Sequence, residues 1–186
     1  MSALVAVLAG GAGRRMGAPK PLAVLGGRPL IAWPLGAAAA AGLEAVVVAK
    51  PDTPLPPLDV PVWLEPDEPR HPLLGIVTAL ERARRAVVAV GCDQPWLPPE
   101  LLRALTGAEG AAAPEGPAGL EPLPARYPVD ALPALRAALA AQAPLRRTLA
   151  ELDPSPIAVA EPWRLSGVNT PEALAEFRGR TKPSAA

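Results

Sequence analysis

The sequence predicts an α/β fold with a mostly parallel central sheet. Two observations carry this. Short apolar runs rich in β-branched residues recur at Ala3–Leu8, Ala45–Ala49, Val62–Leu64 and Ala86–Val90, and segments with helical spacing lie between them. The runs are continuously apolar instead of alternating, as expected for strands buried on both faces by covering helices.

The elements follow in order. Ala3–Leu8 is the first strand and runs straight into a glycine-rich loop. Helical spacing over Pro29–Ala41 predicts the first helix, closed by Gly42, with Pro34 early enough that its missing N–H costs little. After the strand at Ala45–Ala49 and the short one at Val62–Leu64, a second helix is predicted over Leu73–Arg84. The strand at Ala86–Val90 precedes a third helix, Pro99–Leu105, with proline in its first turn. Beyond Leu105 an Ala/Gly/Pro-rich stretch carries little pattern, and helical spacing returns at Ala131–Ala141 and Leu145–Leu152. Ile157–Ala160 reads as a late strand, and Thr170 as the N-cap of a last helix reaching about Arg178. With no internal repeat or long linker, residues 1–179 read as one domain and 180–186 as a frayed tail.

Composition excludes several functions. No apolar run reaches the roughly 18 residues of a membrane span without Gly, Pro or a charge. The first residues lack the basic region and cleavage site of a secretion signal. A soluble, cytoplasmic protein without a membrane partner is expected. Cys92 is the single cysteine and His71 the single histidine, which leaves no disulfide and no structural zinc set. Eighteen Lys and Arg balance eighteen Asp and Glu, so no basic field exists to capture nucleic acid. Charge is local instead: Arg14, Arg15 and Lys20 lie in a stretch free of acids, whereas acids gather around Asp67, Glu68 and Asp93. That asymmetry suits a phosphate site facing a metal site.

The loop Gly10-Gly11-Ala12-Gly13-Arg14-Arg15-Met16-Gly17, with Pro19-Lys20 beyond it, is the most informative stretch. Backbone N–H groups unobstructed by Cβ atoms close on phosphate oxygens, and the flanking cations offset a triphosphate. A P-loop is excluded because Lys20 stands between two prolines, and a dinucleotide fingerprint fails at Met16. On glycine count alone, a plain strand-to-helix turn is an equal reading; the cations favour phosphate. Downstream, Ala86–Val90 delivers Cys92-Asp93-Gln94-Pro95 to a strand's carboxyl end, where open α/β sheets bind ligands. Asp93 is the candidate metal ligand, since Mg2+ takes one or two carboxylates and completes its shell with phosphate oxygens. The competing role, a cap on the following helix, is weakened by Pro98-Pro99-Glu100 standing between.

Leu8 to Leu30, LAGGAGRRMGAPKPLAVLGGRPL, resembles the signature Leu-Ala-Gly-Gly-x-x-x-Arg-Met-Gly-x-x-Lys of the molybdenum cofactor guanylyltransferases and their cytidylyltransferase relatives. Cys92-Asp93-Gln94-Pro95-Trp96-Leu97 resembles their metal motif. The resemblance implies a Rossmann-like three-layer nucleotidyltransferase fold. It also implies a nucleotide site made of Leu8, Ala9, Gly10, Gly11, Gly13, Lys20, Asp67 and Asp93, with Arg14, Lys20 and Asp93 serving catalysis. Asp93 and, through Gly167-Val168-Asn169-Thr170-Pro171-Glu172, Asn169 would hold Mg2+; Asn169 as a turn residue is an equal reading, and Gly167 replaces the family's first asparagine. The implied reaction is transfer of GMP from GTP to the terminal phosphate of molybdopterin with release of pyrophosphate. Pro19 and Gln94 are also at home among cytidylyl relatives, so CTP stays open. A sugar-1-phosphate acceptor and a non-catalytic nucleotide-binding role in molybdoenzyme assembly, alongside assembly proteins, are the other readings. Arg126, Arg146 and Arg147 fall on the implied acceptor side, where they could meet an acceptor phosphate, although exposed helix arginines are the commoner reading.

The chain has no nucleophile–base set, and nucleotidyl transfer to a phosphate needs none. A phosphate monoester, with a second pKa of about 6, is its own nucleophile at neutral pH. Alignment and charge neutralisation remain, and these are what loop N–H groups, Lys20, Arg14 and Asp93 supply.

Overall fold

The structure, a computed structural model, describes residues 3–11, 19–116, 118–170 and 172–174. Its strands are β1 (Leu4–Leu8), β2 (Val24–Leu25), β3 (Arg28–Pro29), β4 (Ala45–Ala49), β5 (Val62–Leu64), β6 (Val87–Gly91), β7 (Ala112–Gly116), β8 (Gly119–Leu120), β9 (Ala125–Tyr127) and β10 (Ser155–Ile157). Its α-helices are α1 (Ala32–Ala40), α2 (Pro72–Ala83), α3 (Pro99–Gly107), α4 (Leu132–Ala140) and α5 (Leu145–Ala150). The main sheet runs β10-β7-β9-β6-β1-β4-β5, with β8 paired to β7.

The expected class is observed. β6, β1, β4 and β5 are parallel neighbours, β9 is antiparallel to both β6 and β7, and β10 is parallel to β7. β1 sits between β4 and β6, so the chain leaves it in opposite directions along the sheet. That reversal opens a crevice at the carboxyl ends of β1 and β6.

Both faces of the central strands β1, β4 and β6 are dry, which explains their continuously apolar sequences, whereas β5, expected to be buried, is an edge strand whose Val62 and Leu64 are exposed. Val5, Val7, Val88 and Val90 pack with Leu101, Leu102 and Leu105 of α3 on one side. Leu4, Ala6, Val46 and Val48 pack with Leu73, Ile76 and Leu80 of α2 and Leu135 of α4 on the other. Successive side chains of one strand point to opposite faces, so β1 contributes to both layers. Each fully buried side chain of this size contributes about 1.5–3 kcal/mol by leaving water.

Several boundaries differ from the sequence reading. The first helix begins at Ala32, because Val24–Leu25 and Arg28–Pro29 form a hairpin whose turn residues Gly26 and Gly27 have φ of +58° and +79°. Two consecutive left-handed residues make the hairpin turn that glycine permits. The helix ends as expected: Gly42, at φ +71°, donates to Ala39 O at 2.9 Å and Leu43 to Ala38 O at 3.0 Å, a Schellman closure. The late strand lies at Ser155–Ile157 instead of Ile157–Ala160, because Ser155 N donates to Ala111 O and pairing with β7 sets the register. β7, β8 and β9 come from the stretch where no pattern was legible. The last helix is entered as expected, with Thr170 Oγ1 accepting from Ala173 N at 3.2 Å; its extension to Arg178 lies outside the described residues. No helix among the described residues is long and apolar enough to cross a membrane.

Candidate active site

β1 and β6 place Leu8, Gly10, Gly11, Gly91, Cys92 and Asp93 at one end of the sheet, where the crevice was expected. Lys20 arrives from a 3-10 turn at Lys20–Leu22, and its ammonium lies 2.7 Å from Asp93 Oδ2 and 2.5 Å from Asn169 Oδ1. Three residues picked from sequence positions up to 149 apart thus meet at one point. Asp93 and Lys20 are each only partly exposed, 17% and 20%, so the charges remain reachable by a ligand.

Glycines make room for the Asp93 carboxylate. A Cβ on Gly91 would stand 2.6 Å from Asp93 Oδ1, and one on Gly167 would stand 3.2 Å from the carboxyl atoms. Gly167 therefore contributes by absence: a side chain there would press on the carboxylate. Val168 N donates to Asp93 O at 2.8 Å and Val168 is itself buried with Leu25 and Leu30, which anchors the Asn169 segment against the Asp93 turn.

Gln94 is a brace for the same turn. Its Oε1 accepts from Gly91 N at 2.8 Å, and its Nε2 donates to Leu123 O at 2.7 Å and Leu165 O at 3.0 Å. Buried and bonded at both ends, it ties β6 to the loops on either side.

Two cavities flank Asp93. The first, about 280 Å3, is lined by Leu8, Gly10, Gly11, Lys20 and Asp93 together with a buried ion pair, Lys50 and Glu65. Lys50 Nζ is 3.4 Å from Glu65 Oε1 and donates to Pro66 O at 2.6 Å; the side chains are 2% and 6% exposed. Burial pushes the Glu65 carboxyl above its usual range, opposed by the Lys50 charge and its hydrogen bond. Glu65 rests against Gly10, whose added Cβ would meet Oε1 at 2.1 Å, so only glycine fits there without displacing the carboxylate. The second cavity, about 320 Å3, lies on the other side, lined by Gln94, Glu121, Arg146, Ser166 and Asn169 among others. Gly91, Asp93 and Leu123 line both.

The remaining expected residues fall as follows. Ala9 is buried and donates to Val48 O at 2.8 Å, holding the loop entrance to β4. Asp67 is exposed and is not among the lining of either cavity. Gly13 and Arg14 lie outside the described residues. Arg126 donates to Gly110 O and Thr106 O at the end of α3, Arg147 pairs with Glu151 on the surface, and Arg146 lines the second cavity. His71 lines the first cavity, but its Nδ1 accepts from Leu73 N as the N-cap of α2. Cys92 is buried, and that burial, with the Asp93 charge adding and Lys20 opposing, pushes its thiol up to about 12.

Sequence reasoning passed over Lys50, Glu65 and Glu121. A usable signal existed for the first two, because each directly follows a strand, β4 or β5, at the same sheet end as Asp93. A charged residue there has a crevice to face.

The donor set fits a divalent cation. Asp93 Oδ2 and Asn169 Oδ1, from separate segments, converge on one positive group, the Lys20 ammonium. Among the described residues no cluster of three or more His, Cys, Asp or Glu could cage a metal alone. Mg2+ held by few protein oxygens and completed by phosphate oxygens and water suits such a site.

A three-layer sheet with a glycine loop, a lysine and one strand-end carboxylate between two cavities defines a nucleotidyltransferase. Residues 5–155 match the MobA-like NTP transferase domain, and the chain belongs to that family. It is 35% identical to a molybdenum cofactor guanylyltransferase of Rhodobacter capsulatus over 96% of each chain. A crystal structure of molybdopterin-guanine dinucleotide biosynthesis protein A from Archaeoglobus fulgidus is similar at 25% identity, with TM-score 0.78 over 95% of this chain and 97% of that one. The fold also matches 2-C-methyl-D-erythritol 4-phosphate cytidylyltransferase from Thermus thermophilus, at 18% identity and TM-score 0.73 over 98% and 100%.

Proposed function

We propose that this protein transfers GMP from GTP to the terminal phosphate of molybdopterin and releases pyrophosphate, with Mg2+ as its metal. The observation that carries this is Asp93, set on the wall shared by two cavities, one for each substrate. An acceptor phosphate oxygen attacks the α-phosphorus, the bond from that phosphorus to the β-phosphate bridging oxygen breaks, and pyrophosphate leaves with the electron pair. The acceptor is already dianionic at neutral pH, so no residue has to take a proton.

Gly10 and Gly11, with Gly13 beyond them, offer backbone N–H groups to the triphosphate, and Lys20 and Arg14 offset its charge. Asp93, with Asn169, would hold Mg2+, which supplies Lewis-acid polarisation of the phosphoryl oxygens when bound. Asp67, exposed beyond β5, would meet the nucleotide from outside the cavity.

The base is read by the Lys50–Glu65 pair. Guanine presents one acceptor, O6, beside two donors, N1–H and the 2-amino group; an ammonium beside a carboxylate is the matching set of one donor and two acceptors. Cytosine presents the opposite balance, one donor and two acceptors, and leaves the carboxylate half used. A polar site left unmatched in this way rejects the wrong ligand strongly. Gln94, bonded entirely within the protein, carries no argument for cytosine.

Pyrophosphate release tests the reading, with molybdopterin, Mg2+ and GTP, CTP, ATP or UTP in parallel. GTP-only turnover that disappears in Asp93→Ala, while the variant melts like the wild type, is the expected result. CTP-only turnover moves the protein to the cytidylyl reading. Silence with all four and a competent acceptor points to a sugar phosphate acceptor or a binding-only role, and near-normal turnover in the variant removes Asp93 from the chemistry.

A further inference from the structure

The second cavity holds a charged pair that the proposed transfer chemistry does not use. Arg146 NH2 donates to Glu121 Oε2 at 2.8 Å, while its NH1 donates to Leu120 O at 2.5 Å and Ala118 O at 3.3 Å. Glu121 is fixed from behind. Its N donates to Pro114 O at 2.9 Å, and its side chain lies flat on Gly116, where an added Cβ would stand 2.6 Å from Oε1. Three elements, the β7–β8 hairpin, the loop before β9 and α5, thus hold one carboxylate and one guanidinium in the wall of a cavity that reaches Asp93.

A phosphate gains little here. The Arg146 charge is already offset by Glu121, and a dianion brought beside the pair would meet the carboxylate as well. The pair instead suits an uncharged planar edge with two N–H donors and one carbonyl acceptor. The carboxylate retains lone pairs beyond the one bonded to Arg146, and the guanidinium retains N–H groups beyond the three bonds above.

We infer that Glu121 and Arg146 form the binding site for the 2-amino-4-oxo edge of the acceptor's pterin ring, Glu121 accepting from the 2-amino group and N3–H and Arg146 donating to O4. This rests on the proposed function, because it takes a pterin-bearing phosphate as acceptor. The pterin head then occupies the Glu121 end of the cavity and its phosphate tail the Asp93 end. The same edge chemistry appears on guanine, and the first cavity meets it with its own cation and carboxylate, Lys50 and Glu65.

The test uses two fluorescent ring systems that differ at one group: pterin, and lumazine, which carries oxygen in place of the 2-amino group. Each is titrated into the full chain with saturating non-hydrolysable GTP analogue and Mg2+, so that the first cavity is closed to them. Pterin is expected to bind at least about 10-fold tighter than lumazine, since lumazine turns an acceptor toward the carboxylate. Glu121→Gln is expected to erase that ratio while leaving affinity for the GTP analogue unchanged. Equal binding of the two ring systems to the wild type, absence of pterin binding, or an unchanged ratio in the variant overturns the inference. The wild-type comparison stands even if the variant does not fold. Should pyrophosphate release from GTP with molybdopterin persist while pterin and lumazine bind alike, this inference fails alone; should that release be absent, the proposed function fails first.

Discussion

Breaking the Lys50–Glu65 pair from one side at a time tests whether it is a buried, mutually dependent unit. The side chains are 2% and 6% exposed and 3.4 Å apart, so each neutralises a charge that water cannot reach. Glu65→Leu strands the ammonium and Lys50→Met strands the carboxylate, and removing one partner of such a pair costs about 3–5 kcal/mol. At roughly 2–4 °C per kcal/mol for a domain of this size, each single variant should melt about 6–20 °C below the wild type. The double variant replaces two charges by apolar groups of similar length and should recover most of that loss. Thermal and denaturant unfolding of the four proteins measures the coupling. Singles that each cost under about 1 kcal/mol, or a double that costs their sum, would refute the reasoning. The pH dependence has a defined sign. Because burial raises the folded carboxyl's pKa above its ordinary 4.5, the folded state takes the proton first. Stability contributed by this group therefore rises as pH falls from the raised value toward 4.5, and levels off below. Glu65→Leu lacks that gain, so its deficit against the wild type should widen through the same window.

Two other perturbations probe the Asp93 turn. Gly91→Ala sets a methyl 2.6 Å from Asp93 Oδ1 and should keep the fold while lowering kcat by up to about 100-fold, as steady-state kinetics beside a melting curve would show. Gln94→Leu leaves Gly91 N, Leu123 O and Leu165 O without their partner and should cost about 1–3 kcal/mol in denaturant unfolding, with catalysis falling because both cavities share that wall.

The parallel half of the fold was legible because it is written in periodicity: β1, β4 and β6 are apolar runs buried on both faces, and α1 to α3 carry the spacing that covers them. The other half was not. β7 is Ala-Ala-Pro-Glu-Gly, whose residues have little strand preference and which is held by its neighbours β8, β9 and β10. The Gly26-Gly27 hairpin carried a readable turn signal, but helical spacing after Pro29 masked it. At the site, Asp93 and Lys20 could be picked from local motifs, and the fold brings both to Asn169. Lys50 and Glu65 were each readable as a charge at a strand end, but their pairing was not, because an ion pair 15 residues apart has no local pattern and only the parallel pairing of β4 with β5 brings them together.

The two charged pairs differ in burial, and that difference sets how sharply each cavity should discriminate. Lys50 and Glu65 are almost dry, whereas Arg146 and Glu121 keep 47% and 21% of their side-chain exposure. An unmatched polar group costs its full desolvation only where water cannot replace the missing partner. Rejecting cytosine in the first cavity should therefore be steep, on the order of 100-fold or more in kcat/KM for GTP over CTP. Rejecting a ring that lacks the 2-amino group in the second cavity should be milder, because water can still reach Glu121. Measuring both ratios on one preparation decides the matter. A pterin preference as steep as the guanine preference would mean that exposure does not govern selectivity here, and that the acceptor closes its own cavity when it binds.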